Sequence, residues 1–264
     1  NTGEIHAYAL FAHCFTCSKN IMAAVNIAKA MANQGVAVLR FDFTGLGKSE
    51  GDFSDTHFSS NVNDLEDAAL FLETQYQAPA LLVGHSLGGT AILAAADRIK
   101  SAQAVVTIGS PADAEHILHL FKDDIQTIES QGQTTVDLAG RDFKIKKAFI
   151  DDVRKQKVKQ SLGSMRKALL IMHSPTDETV SVEQASQLFA QAKHPKSFIA
   201  LDGADHLLTN SNDSTHAGTL LTQWALKYLP KPIKQYQYPT SNKQSVIASL
   251  NSQDGFLTTI NAQG

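Results

Sequence analysis

Ala80-Leu81-Leu82-Val83-Gly84-His85-Ser86-Leu87-Gly88-Gly89 reads as a buried strand running into a helix through Gly-x-Ser-x-Gly. Its apolar residues are continuous rather than alternating, so cover is expected on both faces, as in a parallel sheet between helix layers. Leu87 to Lys100 then carries a helical pattern. A serine at such a junction must project from a tight turn with strained dihedrals, and glycines two before and two after it remove side chains that would collide there. Gly89 adds clearance. The helix opening at Leu87 also points free N–H groups and its positive dipole end toward charge developing near Ser86. A chance glycine-rich turn is the alternative, and it leaves the flanking strand and helix unexplained.

Working outward, short apolar runs alternate with helical patterns. The strand candidates are Ala7 to Ala12, Val36 to Phe41, Ala80 to Gly84, Ala104 to Ile108, Ala168 to Met172 and Ser197 to Leu201. Helices are predicted at about Lys19 to Asn33, Asn61 to Gln75, Leu87 to Lys100, Val182 to Gln191 and His216 to Tyr228. Gly35 suits a left-handed helix end, and Pro79 separates the second helix from its strand. This order predicts an α/β fold with a doubly wound, mostly parallel sheet, whose ligand site lies beyond the carboxyl ends of the strands.

Pro111 to Lys167 is too long for an ordinary strand-to-helix connection and predicts a small lid insertion, helical with a hairpin around Ala139 and Gly140. Its second half, Arg141 to Lys167, holds ten Lys or Arg against Asp142, Asp151 and Asp152 in a chain of net charge −3. Such a run is ordinarily a solvated helical face. The sharper reading is attraction of an anionic substrate by Lys146, Lys147 and Arg154. Residues 1–230 are expected to form the main domain. Residues 231–264 read as a linker followed by a hairpin of Val246 to Leu250 and Phe256 to Ile260, the start of a second module cut short.

Length and composition fit one substantial domain: 264 residues, 43% apolar, 19% charged. The charge gives no reason to expect nucleic acid or an anionic membrane. No apolar run approaches a membrane span and the first ten residues do not resemble a signal peptide, so a cytoplasmic location is the expectation. Oligomeric state is not legible. No metal-binding motif such as His-Glu-x-x-His appears, and neither cofactor nor metal is expected.

A serine hydroxyl needs a base within hydrogen-bond reach and a carboxylate to hold that base's tautomer. Asp177 follows the strand Ala168 to Met172 through a proline-containing loop, and His206 follows the last predicted strand. The order Ser86, Asp177, His206 makes these the candidate nucleophile, orienting acid and general base, cleaving an ester-type acyl bond through an acyl-enzyme. Glu178 competes as the acid but reads as the acidic first turn of the next helix, and Asp205 is badly placed to bridge to its neighbour's ring. The oxyanion donors are expected to be the backbone N–H groups of Leu87 and Phe15, with Cys14 as the alternative to Phe15. His13, Cys14 and His85 are candidate substrate contacts, although the position of His85 under the turn also fits burial; His173 could shape the site, and His116 and His119 read as lid residues.

These residues resemble the α/β-hydrolase superfamily over nearly all of Ala7 to Pro230. Phe11-Ala12-His13-Cys14-Phe15-Thr16-Cys17-Ser18-Lys19 is similar to the His-Gly-Phe-Thr-Gly segment of bacterial esterases, including feruloyl-esterase-like enzymes, with cysteine in both glycine places. Arg40 to Ser49 resembles that family's turn after its next strand. The resemblance implies a carboxylesterase-like serine hydrolase acting on a small-molecule ester. More narrowly, the chain is similar to the hydrolase half of bacterial proteins fused to an OsmC-like peroxide-reductase domain, whose opening hairpin Val246 to Gly264 resembles.

Two rivals stand beside this reading. Cys14-Phe15-Thr16-Cys17 is a Cys-x-x-Cys pair at a strand-to-helix junction, where a helix dipole lowers a thiol pKa, as in thiol redox proteins. The motif explains none of the placement of Ser86, Asp177 and His206. A non-catalytic adaptor on the same scaffold is the other, and the complete set of three side chains argues against it.

Overall fold

A computed structural model describes residues 5–138, 140–230, 247–251 and 257–261. Along the chain run β1 (Ala7–Ala12), α1 (Met22–Ala32), β2 (Val36–Arg40), α2 (Phe58–Gln75), β3 (Leu81–His85), α3 (Leu87–Ala95) and β4 (Ala104–Ile108). An inserted segment follows, with a 3-10 helix (Ala114–Phe121), α4 (Ile125–Gln131), β5 (Gln133–Asp137), β6 (Asp142–Lys146), α5 (Lys147–Lys155) and α6 (Val158–Ser164). The fold resumes with β7 (Ala168–His173), α7 (Val182–Gln191), β8 (Lys196–Ala200) and α8 (Ser211–Ala225).

Six of these strands form one parallel sheet in the order β2-β1-β3-β4-β7-β8, the doubly wound arrangement expected for an α/β hydrolase. The alternation of side chains along the strands feeds two cores. Leu10, Leu82, Val105, Leu169 and Ile171 pack on one face with residues of α2, α3 and α7. Ala9, Phe11, Leu81, Val83, Val106 and Leu170 pack on the other with α1 and α8. A fully buried aliphatic side chain contributes about 1.5–3 kcal/mol by leaving water, so strands apolar on both faces are stable only between the two helix layers. The edges differ from the sequence expectation. β2 and β8 are only partly buried, because each is an edge strand that lacks a neighbour on one side.

Several boundaries move for local reasons. α2 starts three residues before the predicted Asn61, because His57 and Ser60 form a reciprocal capping box. α8 starts five residues early, at Ser211, where the Asn210 side chain accepts the Asn212 N–H.

The insertion contains the expected hairpin, β5 antiparallel to β6 with Asp137 opposite Asp142; Ala139 lies outside the described residues. Four of the ten basic residues of Arg141 to Lys167 stand in surface ion pairs: Lys146 with Asp55, Lys147 with Asp151, Arg154 with Glu129 and Lys159 with Asp113. These pairs favour the solvated-face reading of the charge run over capture of an anionic substrate.

The chain divides into two compact units, Asn1–Lys231 and Pro232–Gly264. In the second, β9 (Ile247–Asn251) and β10 (Leu257–Asn261) pair antiparallel, one residue later than the predicted runs; the expected linker and the connecting turn lie outside the described residues. Among the described residues, no helix is long and apolar enough to cross a membrane.

Candidate active site

Ser86 sits between β3 and α3 at φ 54°, ψ −129°, a conformation costing an L-residue on the order of 1–3 kcal/mol. The surroundings hold it there. Its N–H donates to the Ile108 carbonyl at 2.8 Å, and its carbonyl accepts the Gly89 N–H at 2.9 Å. Glycine is required on both sides: a Cβ on Gly84 would lie 2.5 Å from the Gly88 carbonyl oxygen, and one on Gly88 would lie 2.3 Å from that of His13. The second contact brings the end of β1 against the turn that carries Ser86.

The loop after β7 carries Asp177 and the loop after β8 carries His206, both at the carboxyl edge of the sheet where β3 delivers Ser86. His206 Nδ1 lies 2.7 Å from Asp177 Oδ2, and His206 Nε2 lies 3.0 Å from Ser86 Oγ. A carboxylate only accepts, so Nδ1 carries the proton and Nε2 presents its lone pair to the hydroxyl. Burial pushes the Asp177 carboxyl up, but hydrogen bonds from the His206 ring and from the Val180 and Thr179 N–H groups outweigh it and hold its pKa below the ordinary value. Asp177 is thereby kept ionised. Neither competitor reaches His206: Asp205 accepts from Thr209, and Glu178 is exposed ahead of α7, whose first turn holds Glu183 instead.

Further histidines support this geometry from beneath. His173 Nε2–H donates to the Val180 carbonyl at 2.7 Å and so pins the loop that holds Asp177. His85, expected as a substrate contact, is fully buried and donates from Nε2 to the His206 carbonyl at 2.7 Å. It therefore braces the backbone of His206 and has no surface to offer a ligand. Burial, with the charge of His206 next, lowers its pKa to about 4, so it stays neutral.

The loop after β1 lies opposite. Among the described residues, neither the Phe15 nor the Leu87 backbone N–H has an acceptor on the protein. Leu87 opens α3, where no intrahelical carbonyl is in reach. Phe15 is bracketed by a Cys14–Cys17 disulfide: the Cys-x-x-Cys pair of the sequence is joined. The Cys17 N–H donates to the Cys14 carbonyl at 3.1 Å, Thr16 is held at φ 59°, and Arg141 of the insertion donates to the Thr16 carbonyl.

His13 and Cys14 line a cavity of about 20 Å³ with Phe15, Phe43, Leu46, Phe53, Phe58 and Leu87. His13 is occupied internally: Nδ1–H donates to the Cys14 carbonyl at 2.9 Å and Nε2 accepts from the Phe43 N–H at 3.3 Å. Burial is the main influence on it and lowers its pKa.

Two supporting residues were not singled out in the sequence. Asp42 is buried and accepts from the Lys19 backbone at 2.6 Å, the Lys19 ammonium at 2.7 Å and the Lys48 N–H at 3.0 Å, tying the β1 and β2 loops together. Gly109 stands at φ +55° behind the hydrogen-bonded Asp177–His206 pair, where a Cβ would lie 3.4 Å from both Asp177 Oδ2 and His206 Nδ1. Arg40 to Ser49 carried a signal for the first, as a polar, glycine-containing turn; nothing in the sequence marks the second. Among the described residues, no cluster of three or more His, Cys, Asp or Glu could hold a metal ion.

Residues 4–137 match the family model described as serine aminopeptidase, S33. A crystal structure of the esterase domain of a Rhodothermus marinus protein is 45% identical, covering 86% of this chain and 89% of that one, with a TM-score of 0.69. The structure of ferulic acid bound to Est1E from Butyrivibrio proteoclasticus is 21% identical, with a TM-score of 0.68 over 86% of this chain and 91% of that one, a likeness of fold. The mouse mitochondrial palmitoyl-protein thioesterase ABHD10 is 24% identical over 213 residues, 77% of this chain and 70% of the relative.

Proposed function

The chain belongs to the α/β-hydrolase family described as serine aminopeptidase, S33, and on that premise we propose that it is a serine hydrolase cleaving carboxylic esters through an acyl-enzyme on Ser86. One observation carries the reading: a serine hydroxyl, an imidazole and an ionised carboxylate in series at 3.0 Å and 2.7 Å. His206 Nε2 takes the hydroxyl proton as Ser86 Oγ attacks the ester carbonyl. The developing oxyanion receives the Phe15 and Leu87 N–H groups, each such donor being worth about 10²–10³ in turnover. Asp177 stabilises the imidazolium, which then protonates the departing alcohol. Water activated by His206 releases the acid and restores the hydroxyl.

The cavity beside the two donors supports a short, apolar acyl group. The cavity is small, and its walls are mainly the apolar Phe15, Phe43, Leu46, Phe53, Phe58 and Leu87, with His13 and Asn61 as the polar members, which favours a compact acyl group over a long one. The test is a panel of p-nitrophenyl acetate, butyrate and octanoate beside an S-acyl thioester and an aminoacyl anilide, the last because the family's description names an aminopeptidase. The expected result is the highest kcat/KM on the acetate ester and its loss in Ser86→Ala. Equal rates in the wild type and Ser86→Ala would remove the serine mechanism, and a preference for the anilide would move the substrate class to amides. A cytoplasmic location and association with an OsmC-like domain belong to the same reading, to be tested by cell fractionation and co-purification.

A further inference from the structure

We propose that the Cys14–Cys17 disulfide positions the Phe15 N–H in the oxyanion site, and that its reduction slows turnover, making the hydrolase responsive to dithiols. The proposal rests on the serine-hydrolase reading above.

The crosslink closes a loop of four residues, and Phe15 lies inside it. A loop this short restricts the unfolded chain far less than a long one, so the influence of the bond is local. What it constrains locally is unfavourable without it. Thr16, a β-branched residue, is held at φ 59°, and non-glycine residues adopt that region only where their surroundings impose it. Other holds on this turn are the Cys17 N–H and the His13 Nδ1–H, both to the Cys14 carbonyl, the donation from Arg141 to Thr16, and the Phe15 ring against Phe53 and Phe149, each at 5.6 Å between centroids; none of them fixes Thr16 φ directly. With the bond cut, Thr16 can leave the left-handed region, and Cys14 ψ and Phe15 φ, which aim the Phe15 N–H, are free to change as the four-residue loop relaxes.

The redox chemistry has an entry point. Cys14 is 3% exposed, whereas Cys17 is only partly buried. A dithiol's thiolate attacks Cys17 Sγ, and Cys14 leaves as a thiolate and takes a proton. The reagent's second thiol then resolves the mixed disulfide, giving two protein thiols and the oxidised, cyclic reagent, a transfer of two electrons and two protons. In a reducing compartment a bond of this kind is transient and senses the redox state.

The experiment measures kcat and KM on p-nitrophenyl acetate for the full chain as oxidised, after dithiothreitol, and after reoxidation, with thiols titrated at each stage. The chain has two cysteines, so the titration reports this bond alone. The expected result is no free thiol and full rate when oxidised. On reduction, two thiols should appear and kcat fall by about 10–100-fold at nearly constant KM, the size of a misplaced oxyanion donor, and both should reverse on reoxidation. A Cys14→Ser, Cys17→Ser variant should be permanently slow and indifferent to dithiothreitol; if it does not fold, the reduction of the wild type still decides. Two free thiols with an unchanged rate, or a loss confined to KM, would overturn the positioning role while leaving the hydrolase reading intact. An oxidised chain inactive on every ester would remove both.

Discussion

The turn after β3 and the turn after β1 each offer one backbone N–H, from Leu87 and Phe15, at the same end of the sheet, yet they are held by unlike means. The first is held by what is missing. Gly84 and Gly88 lack side chains that would strike backbone 2.3–2.5 Å away, and Ser86 is wedged at φ 54° between hydrogen bonds to Ile108 and Gly89. The second is held by additions: a disulfide, a charged donor from the insertion and aromatic packing around Phe15. A turn set by steric exclusion keeps one geometry in any solvent. A turn set by added bonds keeps its geometry only while those bonds last, so the proposed redox control would act there without disturbing the turn that carries Ser86.

The strongest way to break this contrast is Ser86→Gly. Turnover should fall by about 10⁴–10⁶-fold, as when a triad nucleophile is removed. Stability to denaturant should rise by about 1–2 kcal/mol, because glycine adopts this backbone without strain. A variant no more stable than the wild type would show that the turn holds Ser86 without strain.

Gly88→Ala comes next, since its Cβ would push the β1 loop away from the elbow and separate the two donors. A loss of about 10²–10³ in kcat is expected, measured on p-nitrophenyl acetate with the fold checked by circular dichroism. An unchanged rate would mean that the two turns need not touch.

The elbow's underside has its own signature in acid. The folded state lowers the pKa of His85 from 6.5 to about 4, so between these values the unfolded chain binds the extra proton. Its contribution is complete above pH 6.5 and drains away toward pH 4, on the order of 3 kcal/mol in all. Asp42 and Asp177, whose pKa values are lowered, add a separate loss only below about their ordinary value of 3.8. His13 and His116, whose pKa values burial also lowers, add to the loss in the same direction below pH 6.5. Denaturant titrations from pH 7 to 4 should follow this course and His85→Gln should make it shallower, while a flat wild-type curve would refute the assignment.

Arg141→Ala is the mildest. It removes one charged donor from the Thr16 carbonyl, worth about 1.5–3 kcal/mol where such a bond is fully made and less at a partly exposed site. A several-fold drop in kcat is expected in the oxidised chain and a larger one in the reduced chain, where the disulfide no longer shares the task. Equal drops in both would mean that the two restraints act independently.

The same contrast explains what was legible in the sequence. Apolar runs located all six strands of the main sheet: in the central β1, β3, β4 and β7, burial on both faces leaves little room for polar residues, whereas the half-buried edge strands β2 and β8 carry the same signal more weakly, β8 opening on Lys196 and Ser197. Glycine spacing marked the elbow for a similar reason, since steric exclusion is written in residue identity. Chain order then singled out Asp177 and His206, and the sheet order brings them to the carboxyl edge beside Ser86. What escaped depends on state or on three-dimensional neighbours. Two cysteines three apart do not reveal whether they are joined. Gly109 looks ordinary until its positive φ and the pair in front of it are seen. For His85 the sequence left both a substrate contact and burial under the turn open; the ring is buried, and its bond to the His206 carbonyl is what the sequence could not show. The starts of α2 and α8 slipped because capping by His57 and Asn210 is a matter of local hydrogen bonds, weaker in the pattern than apolar periodicity.

The most direct test of the whole account is labelling by a fluorophosphonate, which reacts with a serine hydroxyl only where a base and an oxyanion site activate it. Intact-mass and peptide analysis should find one adduct per chain, on Ser86, with the rate of labelling collapsing in His206→Ala. Labelling at another residue, or on Ser86 at an equal rate without the imidazole, would contradict it.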